Sequence, residues 1–345
     1  MSAELSEELK ERLARILNDP ALRDEIEDRI ESARRGGARF RAFVGPSAVG
    51  DALKRAGAGE SKTLGEVESI VLALGRPVLN VQDNTFNTDG LPADAKSREW
   101  VKRLAERKDL LDARIPSIGR INLKNHTYTW VGTGWMIAPD IVVTNNHVAR
   151  FFAGPDGSGK GFAFKKNPDG LLIKPSIDFR QEHQRDAENE FRLSEVLYMS
   201  GSDDPDVAFL RIGSAISENA TLPVPVPLAD EPAAVDQQVA VIGYPARDSQ
   251  IPDPVLMREI FGDIYDVKRL APGAISGFTP ENRQTKHDAS TLGGNSGSAV
   301  LDLATGRAVG LHRAGAYKVA NYAVPIATVR RLLADLQARL TAPNP

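Results

Sequence analysis

Apolar residues recur along this chain with two different periods, and the change falls near residue 115. In the front part Leu5, Leu9, Leu13, Ile16 and Leu17 share one helical face. Asn18-Asp19-Pro20 ends that stripe and opens a second one through Leu22, Ile26 and Ile30. The run Arg34 to Gly37 breaks it. A third helix is predicted over 46–56, ending at Gly57. A fourth opens with the capping-box spacing of Thr63 and Glu66, carries Leu64, Val67, Ile70, Val71 and Leu74, and stops at Gly75 with Pro77 beyond. Residues 83–98 read as a polar linker. An amphipathic helix over 94–112 follows, with Trp100, Leu104, Leu110 and Leu111.

From Ile115 onward the pattern is short β-rich runs between Gly, Pro, Asn and Asp: HTYTWVG, TGWMIA, IVVTNN, DVAFLRI, QVAVIGY, SAVLDL and RAVGLH. Many short strands at this spacing predict an all-β barrel or sandwich. The charged stretch 180–190 reads as an exposed excursion. A last helix, Pro325 to Leu340, carries Val329, Leu332, Leu333, Leu336 and Leu340 on one face.

Composition narrows the function classes. The 345 residues suffice for one large domain with an appended module, or for two ordinary domains. The formal charge of −3 gives no global attraction to nucleic acid or to an anionic membrane. The cluster Arg34, Arg35, Arg39 and Arg41 lacks interleaved aromatics and reads as a solvated linker. There is no cysteine, which excludes disulfides and thiolate chemistry. The charged amino terminus is unlike a secretory signal, and no run nears the roughly 20 apolar residues of a membrane span. A cytoplasmic protein is expected, with no metal and no organic cofactor. His126, His183 and His287 lack metal-ligand spacing and read as structural or exposed.

One constellation carries chemistry. A serine hydroxyl needs a base, and the base needs a third group to orient it. Ser296 lies in TLGGNSGSAV, where glycines allow a tight backbone that can aim the N–H groups of Gly294 and Ser296 at one oxyanion. His147 follows the apolar strand of DIVVTNNHVAR, well placed to enter a cleft. Asp206 heads the strand in DDPDVAFLRI, with Asp203 and Asp204 as competitors for the acid role.

GTGWMIAPDIVVTNNHV, DVAFLRI and TLGGNSGSAV, in the order His, Asp, Ser, together resemble the motif blocks of trypsin-like serine peptidases, especially the cysteine-poor bacterial branch. The resemblance spans Ile115 to Leu340. It implies a mainly β fold of two antiparallel six-stranded, chymotrypsin-like barrels with a C-terminal helix, and a catalytic triad in the cleft. The expected division is a helical N-terminal module over 1–90, a connecting helix over 91–114 and a peptidase domain over 115–345. Substrate is expected to be a protein or peptide, lying as an extended strand beside Ala314 and Gly315. The family pocket for the residue before the cut bond is lined here by Ser290, Thr291 and His312. Ser290 replaces the aspartate of trypsin-type pockets, which argues against Lys or Arg. GLHRAG together with Thr291 resembles glutamyl endopeptidases and viral 3C-type peptidases, which implies Glu, or else Gln, before the cut.

Two rivals follow from the same residues: a vestigial peptidase fold acting as a scaffold, and a latent enzyme governed by a protein partner on the helical module. That module is equally readable as a brace for the barrels. Arg114-Ile115 stands at the junction, but Ile115-Pro116-Ser117 departs from the start that cleavage-activated relatives carry.

Overall fold

The computed structural model describes residues 76–88, 95–159, 161–201, 205–247, 258, 260–316 and 320–341. The helices expected before residue 75 lie outside these residues, as do Asp203 and Asp204.

The first barrel closes from β3 (Ile118–Lys124), β4 (Trp130–Ala138), β5 (Ile141–Thr144), β8 (Lys174–Asp178), β9 (Glu190–Met199) and β10 (Ala208–Ala215). All neighbours are antiparallel, and β10 closes the ring by pairing both β5 and β9. The small hairpin of β6 (Ala153–Pro155) and β7 (Phe162–Phe164) stands apart from this barrel sheet. The second barrel comprises β11 (Gln238–Gly243), β12 (Arg269–Phe278), β13 (Thr285–His287), β14 (Ala299–Asp302), β15 (Ala308–Ala316) and β16 (Ala320–Pro325). The β11–β12 pairing closes its ring. The two six-stranded barrels expected from the motif blocks are therefore present.

Side-chain alternation explains the burial. All four residues of β5 are buried, because its two faces serve different cores. Val142 points into the first barrel with Met136, Ile177 and Leu210. Ile141 and Val143 point the other way, into a core shared by both barrels with Trp135, Phe209, Ile242 and Leu301. The second barrel encloses its own set, including Val239, Val241, Ile275, Val300 and Val309. The closing helix, Ile326–Thr341, buries Ile326, Val329, Leu333 and Leu336 against the shared core, while Leu340 is exposed.

The segment before the first barrel departs from the sequence reading. Residues 83–98 are not simply a polar linker. β1 (Leu79–Gln82) and β2 (Thr85–Asn87) form a hairpin across Asp83-Asn84, both with positive φ, the geometry of a tight primed turn. β1 pairs with β12, so the hairpin extends the sheet of the second barrel. The expected single helix over 94–112 is two: α1 (Ala95–Ala105) and α2 (Lys108–Asp112). Lys108 joins α2 to the hairpin by bonding Thr85 and, at 2.8 Å, Asp112.

Only residues 184–188 of the charged stretch 180–190 are exposed as expected, and Glu182 is buried. It accepts the Asn84 N–H at 3.1 Å and lies 4.0 Å from the fully buried Lys268 ammonium. Lys268 donates to the carbonyls of Ile115 and Phe179 at 3.0 and 2.6 Å. Ile115 is itself fully buried, so the Arg114-Ile115 bond is poorly placed for cleavage.

Burial pushes the Lys268 ammonium down to about 8, against the pull of Glu182 and Asp178. The unfolded chain keeps this proton up to about pH 10.4. Between the two values the unfolded state binds more protons, so this residue makes stability rise with pH across that window. Thermal unfolding of the native protein and Lys268→Met should therefore diverge in favour of the native protein from pH 8 to 10. A constant difference would refute the assignment.

Candidate active site

Three short segments converge between the barrels. β5 runs into Asn145, fully buried, whose Nδ2 donates to the Asp206 carbonyl at 2.9 Å. That bond ties the end of β5 to the approach of β10. The one-turn helix α3 (Asn146–Ala149) then begins, and His147 leaves it toward Asp206. His147 Nδ1 lies 2.7 Å from Asp206 Oδ2, and the His147 backbone N–H donates to Oδ1 at 3.0 Å. The carboxylate is thus gripped at both oxygens by one residue, which fixes the ring's orientation. The imidazole remains 43% exposed and Asp206 only 11%. Burial alone would raise the Asp206 carboxyl. The hydrogen bond and charge of His147, its backbone N–H and the Arg313 guanidinium outweigh that and hold it below its ordinary value.

Ser296 sits on the loop leading into β14, between β4 and β15. The Ser296 carbonyl accepts the Thr133 N–H at 2.9 Å, and the Gly297 N–H donates to the His312 carbonyl at 2.8 Å. Gly297 has φ +91°, and a Cβ there would stand 2.0 Å from the Thr133 carbonyl oxygen. Only glycine fits that crossing. The Ser296 hydroxyl donates to the Arg313 carbonyl at 3.0 Å. No hydrogen bond joins it to His147 among the described residues. The N–H groups of Gly294 and Ser296 likewise bond to no described residue.

The expected pocket residues divide. Ser290 donates to the Arg76 carbonyl at 3.0 Å, so its hydroxyl is committed to the base of the β1–β2 hairpin. Arg76 also forms a paired contact with Asp288, at 2.9 and 2.6 Å. Thr291 is half-buried on the loop before Ser296. His312 is 2% exposed, with its Nδ1 3.0 Å from Nε2 of the fully buried His287. Burial, then the neighbouring His287, holds His312 well below the usual histidine range. Burial pushes His287 down to about 4. Both rings are therefore neutral at physiological pH, and one donates to the other. Ala314 and Gly315 lie on β15, paired with Tyr322 and Asn321 of β16.

Three residues of the site make contacts that the sequence reading does not assign. Thr133 donates its hydroxyl to the Gly294 carbonyl at 2.9 Å and so latches the glycine loop from below. His287 backs His312 from β13, 25 positions earlier. Arg313 places its Nε 3.3 Å from Asp206 Oδ2. Thr133 falls within the GTG run, but nothing in that run marks it as a latch. Among the described residues no cluster of three or more His, Asp or Glu could hold a metal ion, and no helix is long and apolar enough to cross a membrane.

Residues 132–311 match the trypsin-like peptidase domain. A probable serine protease of Lysobacter enzymogenes is 32% identical over 301 residues, covering 79% of this chain and 76% of that one. Among solved structures, the serine endoprotease from Yersinia pestis is 16% identical, covers 67% of this chain and 66% of its own, and has a TM-score of 0.44. Deg5 is 22% identical, covers 68% and 93%, and also has a TM-score of 0.44. Matched over residues 132–311, more than half of its length, and by a relative across most of its length, the chain belongs to the trypsin-like peptidase family and is a serine endopeptidase.

Proposed function

We propose that His147, Asp206 and Ser296 form the catalytic triad, and that the enzyme cuts after Glu or, less readily, Gln. The triad reading rests on the paired grip of His147 on Asp206, beside a serine held on a glycine-bent loop. The reaction requires the Ser296 hydroxyl to turn from the Arg313 carbonyl to His147. His147 takes the proton as Ser296 attacks the peptide carbonyl, and Asp206 stabilises the resulting imidazolium. The Gly294 and Ser296 N–H groups receive the oxyanion. The leaving amine takes the proton from His147, and water hydrolyses the acyl-enzyme through the same histidine. The substrate lies extended along Ala314 and Gly315 of β15.

The pocket reading rests on the His287–His312 contact. If His287 Nε2 donates to His312 Nδ1, the neutral His312 ring carries its proton on Nε2 and becomes a hydrogen-bond donor. No described residue bonds that nitrogen. A carboxylate accepts such a bond more strongly than a carboxamide does, which orders Glu above Gln. Cleavage of a diverse peptide library by the full-length protein tests the reading. Cuts enriched after Glu or Gln are expected, and a strict preference for Arg or large aromatic residues would sink it.

A further inference from the structure

We infer that Arg313 is a positioning residue of the triad whose guanidinium sets the pH range of catalysis. The inference rests on the triad assignment above and goes beyond it. Arg313 touches two of the three members by two different parts. Its carbonyl oxygen accepts the Ser296 hydroxyl at 3.0 Å. Its Nε stands 3.3 Å from Asp206 Oδ2, the same oxygen that His147 Nδ1 approaches to 2.7 Å. The two cationic or potentially cationic groups therefore share one carboxylate oxygen. Part of the Asp206 charge is already matched by Arg313 before His147 takes up a proton. The carboxylate remains a rigid acceptor for the neutral imidazole, but it rewards the imidazolium less than a lone aspartate would.

Among the described residues, few other charges could do this. Asp206 is faced by His147 from α3 and by Arg313 from β15. Behind them lie His312 on β15 and His287 on β13, both buried and neutral at physiological pH. Arg313 is 34% exposed, so water and salt reach it and its influence is moderate.

The two contacts separate cleanly in an experiment. The carbonyl contact is backbone and survives any substitution at this position, so side-chain variants isolate the guanidinium. Arg313→Met removes the charge while keeping the length, and Arg313→Lys keeps the charge. The measurement is kcat/KM against pH for the full-length enzyme and both variants, on the best peptide from the library, at low and at high salt. Removing the cation leaves the whole Asp206 charge to His147. The acidic limb for Arg313→Met should then move upward by roughly half a pH unit, in the range expected of one partly screened charge. Arg313→Lys should stay near the native limb, and the shift should shrink in high salt.

A merely structural role would lower kcat and leave the limb in place, and that result would overturn the inference. So would an equal shift in Arg313→Lys. Failure of the triad reading is separately visible, because Ser296→Ala would then keep its activity. Thermal unfolding of each variant guards against a folding defect. Should Arg313→Met fold poorly, Arg313→Gln supplies the same charge deletion with polar atoms retained.

Discussion

Ser296→Ala should lower peptide turnover by roughly 10⁴- to 10⁶-fold, the range seen when a triad nucleophile is removed. The activity left behind would come from substrate alignment and the oxyanion donors, which the substitution spares. The fold should hardly notice. The hydroxyl makes one hydrogen bond, to the Arg313 carbonyl, and the residue is only partly buried. Losing that bond costs about 1 kcal/mol or less. The check has three parts: cleavage of the peptide library, labelling by a fluorophosphonate, and the thermal midpoint. Loss of the first two with the third preserved is the expected result. A variant that still cleaves at more than about a hundredth of the native rate would remove Ser296 from the nucleophile's role, since no bypass for a true nucleophile reaches that level. A native protein that neither cleaves nor labels would instead favour the latent enzyme or the vestigial scaffold.

What the sequence made legible was local in character. IVVTNNH announces a buried strand running into a polar turn, and the structure ends β5 there, with Asn145 and His147 both bonded to Asp206. The helix stripe after Pro325 is likewise a period in a single segment, and its inner residues pack where that period points. The β1–β2 hairpin was less visible. Its strands span four and three residues, too short for alternation to stand out. The turn signal Asp83-Asn84 lies in a generally polar stretch. The hairpin is held by distant partners: β12 pairs with β1, and Asp288 grips Arg76 across 212 positions. Glu182 shows the same limit. Five of the eleven residues from 180 to 190 are Asp, Glu or Arg besides it, which suggests full exposure. Yet a buried carboxylate needs only one cation and a few donors, and Lys268 and Asn84 supply them from far along the chain. Arg313 escaped for a related reason. Its neighbour His312 drew attention to the pocket, while the contact that gives Arg313 meaning runs to Asp206, 107 positions away.

Gly294→Ala should lower kcat by about 10²- to 10³-fold, the size of effect seen when one oxyanion donor is lost. Gly294 has φ +84°, which an alanine adopts only at a cost of about 1 kcal/mol or somewhat more. The larger obstacle is space. An added Cβ would stand 2.5 Å from the Trp130 ring and 2.5 Å from the Tyr244 carbonyl oxygen. The ring could turn aside, but Tyr244 is fully buried, its N–H donates to Thr133 Oγ1 at 3.2 Å, and its carbonyl cannot easily yield. The glycine loop must therefore move, and the Gly294 N–H moves with it. Because Thr133 also bonds the Gly294 carbonyl, the peptide cannot rotate in place without breaking that latch. The N–H matters most when charge develops on the substrate oxygen, so the loss should fall on kcat with KM changed much less. Trimming Trp130 to alanine in the same chain should not restore activity, since the backbone obstacle at Tyr244 remains. The measurement is kcat and KM on the best library peptide, beside the rate of fluorophosphonate labelling. A kcat within about threefold of native would mean that the Gly294 N–H does not serve the oxyanion, and a full rescue by Trp130→Ala would mean that the ring, not the backbone, holds the loop in place.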